Sequence, residues 1–113
     1  MAHIAELLNK NGIIVIASFI SPTNELREMI KKIIGKEKMK LVYAKCSLAE
    51  CERRDIKGMY KKARKGEIPE FTGVNSPFEE PEEAIVIDTE KNDVSHCVKI
   101  IIRELNIIRK IIS

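Results

Sequence analysis

The spacing of apolar positions changes repeatedly along this chain, and each change marks an element boundary. From Ala2 to Asn9 the apolar residues Ile4, Ala5, Leu7 and Leu8 recur at helical spacing, and Asn11-Gly12 stops the helix. Ile13 to Ala17 (IIVIA) is a continuous apolar run rich in β-branched residues, which predicts a strand buried on both faces of a parallel sheet. Ser21-Pro22 closes that region, and Thr23 or Asn24 can cap the next helix. Leu26, Met29, Ile30, Ile33 and Ile34 line one side of that helix, and Gly35 ends it. Lys40 to Cys46 (KLVYAKC) reads as a second strand. Ser47 caps a short helix through Leu48, Cys51 and Arg54, with Glu50 placed to complete a capping box. Asp55 to Lys65 is basic and partly helical, broken by Gly58 and ended by Gly66. Glu67 to Glu83 carries three of the four prolines and reads as a long loop, of the kind that serves as a lid or binding loop or stays disordered. Ala84 to Asp88 (AIVID) predicts a third strand, and Asp93 caps a terminal helix from Val94 to about Ile112.

Strands alternating with helices give an α/β class with a short parallel sheet of about three strands. The terminal helix is over-supplied with apolar residues. Val94, Cys97, Val98, Ile101, Leu105, Ile108 and Ile112 form one stripe, and Ile100, Ile107 and Ile111 begin another. A helix apolar around most of its girth is expected to be buried on more than one side, either against another chain or simply as a product of isoleucine-rich composition.

At 113 residues the chain makes one domain or less. One third of its residues are charged, which suits a globular protein rather than a disordered one. The net charge of +3 is mild, and its excess gathers between Lys57 and Lys65, as an anion-binding patch or a solvated face. Nothing in this balance calls for nucleic acid. Cys46, Cys51 and Cys97 cannot close a disulfide framework, and their spacing, with His3 and His96 far apart, matches no common zinc pattern. Structural thiols in a reducing cytoplasm are the expectation. No apolar run approaches the ~18 residues of a membrane span, and no signal peptide is visible after Met1.

Three ordered segments carry a family resemblance across nearly the whole chain. IAELLNKNGIIVIASFISP (Ile4 to Pro22), CERRDIKGMYKKARKGEIPEFTG (Cys51 to Gly73) and NSPFEEPEEAIVIDT (Asn75 to Thr89) together resemble the adenylylsulfate kinases. Any one short match is weak, whereas the set at matching separations is specific. The resemblance implies a P-loop-kinase-like three-layer fold, present here as a single partial domain over residues 1–113 with a lid at about 55–83. It also implies a reaction: ATP, with Mg²⁺, phosphorylates the 3′-hydroxyl of adenosine 5′-phosphosulfate.

Carried over residue by residue, Ile20 and Ser21 match positions lining the adenylylsulfate pocket, and Ser21 also matches the family's phosphoserine position. A serine before proline is, on residue grounds, a turn or cap residue. Phe71 matches the aromatic that stacks on the substrate adenine, and its other reading is an apolar anchor for the lid. Lys57 matches a lysine on adenylylsulfate, and Arg54 an arginine packed on the ATP adenine. Without the match both read as surface charges, as do Lys61, Lys62 and Arg64. Thr89, Asn92 and Cys97 match the region near the ATP base, with a buried helix thiol as the simpler reading of Cys97.

The family's GxxxxGK[ST] phosphate loop is not among these residues: Gly35-Lys36 lacks the earlier glycine, since Ile30 stands there. Asn24 departs from the arginine of many relatives. The expectation is a nucleoside-gripping portion that is inactive as a lone chain. Ile13–Ala17 and Lys40–Cys46 would then close up on each other, or be completed by a partner or a second copy. The competing readings are a non-catalytic nucleotide-binding or interaction module and a fragment of a split kinase.

Overall fold

The computed structural model describes residues 1–112, with side chains described through Asn106, so the stripe positions Ile107, Ile108, Ile111 and Ile112 lie outside the described side chains. The chain divides into two compact units, Met1–Lys40 with Phe78–Glu82, and Leu41–Pro77 with the chain from Glu83 onward.

The first unit contains α1 (Ala2–Lys10) and α2 (Asn24–Ile34), which pack on each other. Thr23 caps α2, its Oγ1 accepting from the Leu26 amide at 3.2 Å. Gly35 ends it, as its pattern predicts. Arg27 on α2 is 3 % exposed, a burial that a charged side chain tolerates only with partners. Nη1 donates to Asn24 Oδ1 at 2.8 Å, Nη2 donates to the Glu79 carbonyl at 2.6 Å, and the guanidinium lies 5.3 Å from the Phe78 ring centroid. The Glu79 amide in turn donates to the Pro22 carbonyl at 2.7 Å, so a short return segment is pinned beside the Ser21-Pro22 turn.

Ile13–Ala17 is not a strand. It forms no ladder with any described strand, and Ile14 and Ile16 are 90 % and 95 % exposed. The residue pattern specifies a buried strand, but a strand is defined by its partner, and no described residue supplies one. The sheet therefore has two strands among the described residues rather than about three.

The second unit holds that sheet: β1 (Val42–Lys45) and β2 (Ile85–Asp88), parallel, with Val42 opposite Ile85 and Lys45 opposite Asp88. Between them come α3 (Leu48–Arg54) and α4 (Met59–Arg64), and after β2 comes α5 (Val94–Ile112), which packs against β2. The α/β class with a short parallel sheet and flanking helices is thus the one read from the sequence. Its buried apolar residues are Ala63, Ile87 and Cys97. On α5, Ile100 and Ile101 are half-buried beside Cys97, while Val94, Val98, Ile102 and Leu105 are exposed. Within this chain, α5 buries the face that carries Cys97 and leaves Val94, Val98, Ile102 and Leu105 open.

Candidate functional site

Ser47 Oγ accepts from the Glu50 amide at 3.2 Å, which is half of the capping box expected for α3. The other half differs. The Ser47 amide donates to Glu90 Oε2 at 3.1 Å instead, while the Glu50 carboxylate turns to the arginines of its own helix. Two basic residues one turn away outbid a single amide. Arg53 Nε donates to Glu50 Oε2 and Arg54 Nε to Glu50 Oε1, each at 2.8 Å. The Arg53 hydrogen bond, assisted by Arg54 and opposed by partial burial, holds the Glu50 carboxyl at about 2.

Arg54 is held at a second edge as well. Its Nη2 donates to the Thr89 carbonyl at 2.9 Å. Thr89 follows β2 and is itself fixed, its amide and its Oγ1 both donating to the Lys45 carbonyl, at 2.9 and 3.0 Å. The next turn is closed by Asp88, whose Oδ1 accepts from the amides of Glu90 and Lys91. The Asn92 amide and side-chain Nδ2 both donate to the Asp88 carbonyl at 3.1 Å. Cys97, 6 % exposed, sits with Sγ 4.0 Å from the Asp88 and Asn92 carbonyl oxygens. So Arg54 meets Thr89, while Asn92 and Cys97 meet one residue earlier, at Asp88. The four sequence-predicted residues lie along one stretch of the β2 exit. A guanidinium gripped at its edges keeps its planar faces for stacking.

Phe71 stands in a loop with its own scaffold. The Asn75 side chain accepts from the Phe71 amide and donates to the Ile68 carbonyl at 2.9 Å. The Phe71 carbonyl accepts from the amides of Val74, Asn75 and Ser76, and Gly73 donates to the Ser76 carbonyl at 2.8 Å. Gly73 adopts φ 88°, a conformation that favours glycine, and Glu70 just before Phe71 has φ 53° at a cost of about 1 kcal/mol. The half-buried ring meets Tyr60 edge-on, with centroids 4.9 Å apart. Burial, then contact with Cys51, pushes the Tyr60 hydroxyl up to about 12, so it stays neutral at any physiological pH.

Tyr60 belongs to α4, whose N-cap is Gly58 in the left-handed conformation, φ 66°. Asp55 supplies the cap that Gly58 lacks, its two oxygens accepting from the amides of Tyr60 and Lys61 at 3.2 and 3.1 Å. Lys57, Lys61 and Lys62 are exposed, and Arg64 is engaged by Glu52, with Nε to Oε1 at 2.6 Å. In the other unit, Ile20 is 72 % exposed and Ser21 half-buried. Sequence reasoning missed Asn75, Asp55 and Arg27 as organisers. The Asx-turn chemistry of an asparagine and an aspartate two or three residues from a glycine was the available signal for the first two. Arg27 lies in line with Ile30 and Ile34, three and seven residues on, at the edge of the apolar stripe, and that spacing was its signal.

Among the described residues, no cluster of three or more His, Cys, Asp or Glu could hold a metal ion. No helix is long and apolar enough to cross a membrane among those residues.

The family model described as adenylylsulphate kinase matches residues 1–88. The chain is 50% identical over 99 residues to an adenylyl-sulfate kinase of Bacteroides thetaiotaomicron, covering 87% of this chain and 49% of that protein. It is 48% identical over 101 residues to a probable adenylyl-sulfate kinase of Aeropyrum pernix, covering 87% of this chain and 55% of that protein. The structure of the Mycobacterium tuberculosis APS kinase CysC in complex with AMPPNP and APS superposes with a TM-score of 0.78 at 34% identity, covering 88% of this chain and 60% of that one. The chain spans about half the length of the curated relatives it matches. A family model spanning most of the chain and a shared α/β fold together place it: the chain belongs to the adenylylsulphate kinase family.

Proposed function

We propose that residues 1–113 form the nucleoside-gripping portion of an adenylylsulfate kinase, acting in sulfate activation in the cytoplasm. The family reaction moves the γ-phosphoryl group of ATP to the ribose 3′-hydroxyl of adenylylsulfate, a step that depends on positioning and charge neutralisation. The observation that carries this reading is the Arg54–Thr89 hydrogen bond, which fixes a planar cation beside the Thr89–Asn92 turn. That arrangement suits the edge and face of an adenine base.

In this reading Arg54, Thr89, Asn92 and Cys97 hold the ATP base. Phe71 stacks on the adenine of adenylylsulfate. Lys57 neutralises its phosphosulfate, and Ile20 and Ser21 line the pocket, Ser21 as a turn residue rather than a phosphate carrier. The stretch at about 55–83 is the lid of one partial kinase domain, and its ordered segments at α4 and the Phe71 turn support a defined rather than random closure. The sequence contains no GxxxxGK[ST] phosphate loop, and among the described residues no cluster of three or more His, Cys, Asp or Glu could hold a metal ion. The phosphoryl-handling groups therefore come from chain outside residues 1–113, and no step here runs through the metal. The open Ile13–Ala17 segment supports completion by a strand, from a partner polypeptide or a second copy.

A second reading, a non-catalytic module that binds adenine nucleotides, shares the Arg54–Thr89 geometry. Titration calorimetry with ATP and with adenylylsulfate, beside a coupled kinase assay on the pure 113-residue chain, tests both. Saturable binding without turnover is the expected result. Turnover by this chain alone overturns the need for a phosphate loop from elsewhere, and absence of binding to either nucleotide overturns the proposal.

A further inference from the structure

In a capped helix, the residue before the cap and the fourth helical residue pack on each other as a staple. For α3, capped by Ser47, those two positions are Cys46 and Cys51. Staples are ordinarily pairs of apolar residues held together by contact. In α3 both positions are thiols, near enough to each other that Cys51 perturbs Cys46. Neither is sealed away: both are half-buried and free. Cys97, the remaining cysteine, is buried at the start of α5 against the Asp88 and Asn92 carbonyls.

From this placement we infer that Cys46 and Cys51 form a dithiol site that closes to an intramolecular disulfide on reaction with a small-molecule disulfide. The Cys51 thiolate attacks one sulfur of the small disulfide. That S–S bond breaks, a mixed disulfide forms on Cys51, and one small thiol leaves with a proton. The Cys46 thiolate then attacks the Cys51 sulfur and displaces the second small thiol. The protein dithiol is oxidised by two electrons, and the small disulfide is reduced to two thiols. Burial, followed by the Cys51 contact, pushes the Cys46 thiol up, which suits it to the second, intramolecular step rather than the first. Closure joins the end of β1 covalently to the second turn of α3, the helix that carries Arg54. The inference stands apart from nucleotide binding, so the thiol measurement and the nucleotide titrations fail separately.

The test is a redox titration of the pure chain with glutathione and glutathione disulfide, quenched by alkylation and digested with trypsin. Cleavage after Lys45 and Arg53 releases one peptide, Cys46–Arg53, that contains both residues. In the folded chain this peptide is expected to lose two hydrogens and escape alkylation. The effective concentration of the pair should be about tenfold above that of the same chain in urea. Cys46→Ser is expected to leave an unresolved glutathione adduct on Cys51. Equal closure in folded and unfolded chain, or pairing with Cys97 in its place, overturns the assignment.

Discussion

Arg54 donates from Nη2 to the Thr89 carbonyl over 2.9 Å, so the last residue of α3 is tied to the residue that follows β2. Glu50 holds another edge of the same guanidinium at 2.8 Å. The side chain that would touch a base is therefore oriented by a carboxylate and a carbonyl before any ligand arrives.

Arg54→Lys keeps the charge and removes the plane. ATP affinity is expected to fall about tenfold, the loss of one stacked cation. The melting temperature should barely move, because the side chain is 42% exposed. Calorimetry beside a thermal melt checks this, and unchanged affinity would remove Arg54 from the base site.

Phe71→Leu separates stacking from anchoring. Leucine retains apolar bulk against Tyr60 but offers no π-face. Loss of a stacked base at ~1–3 kcal/mol predicts adenylylsulfate binding weaker by about tenfold or more, with near-unchanged stability. If stability falls and affinity does not, the ring serves only to dock the loop on Tyr60.

Glu50 sets an acid limit. Its carboxyl lies at about 2 in the folded chain against an ordinary 4.5. A depressed carboxyl contributes stability that is fully present above the unfolded value and disappears as pH falls through the folded one. Wild type should therefore lose an increment of stability between those two values that Glu50→Gln never had. Urea melts of both forms across that range check it, and parallel curves would show the Arg53 and Arg54 contacts to be energetically silent.

Arg27→Met removes the guanidinium that grips Asn24 and the Glu79 carbonyl and faces the Phe78 ring. Hydrogen bonds from a buried charge contribute about 1.5–3 kcal/mol, so destabilisation of about 3 kcal/mol is expected, with faster hydrogen exchange at the Glu79 amide. Uniform exchange throughout the chain would instead assign Arg27 to general core packing.

The legible parts of this molecule were those fixed by local chemistry. Thr23, Gly35, Ser47 and Asp93 act where their residue types place them, because caps and helix stops need only neighbours in sequence. Ile13–Ala17 was misread for the opposite reason: β-branched runs declare a preference, and pairing is settled by distant chain. The Glu50 carboxylate was assigned to Ser47 because a capping-box pattern takes no account of Arg53 and Arg54 competing for it. The site residues were legible through resemblance alone. Nothing in the identity of Thr89 foretells that its carbonyl receives Arg54.

The bare Ile14 and Ile16 side chains carry a practical corollary. A short, uncharged, β-branched ribbon that pairs with no described strand meets the recipe for interdigitated stacking between copies. Concentrated preparations should gel or precipitate through this seam first, and Ile14→Lys or Ile16→Lys should extend their shelf life.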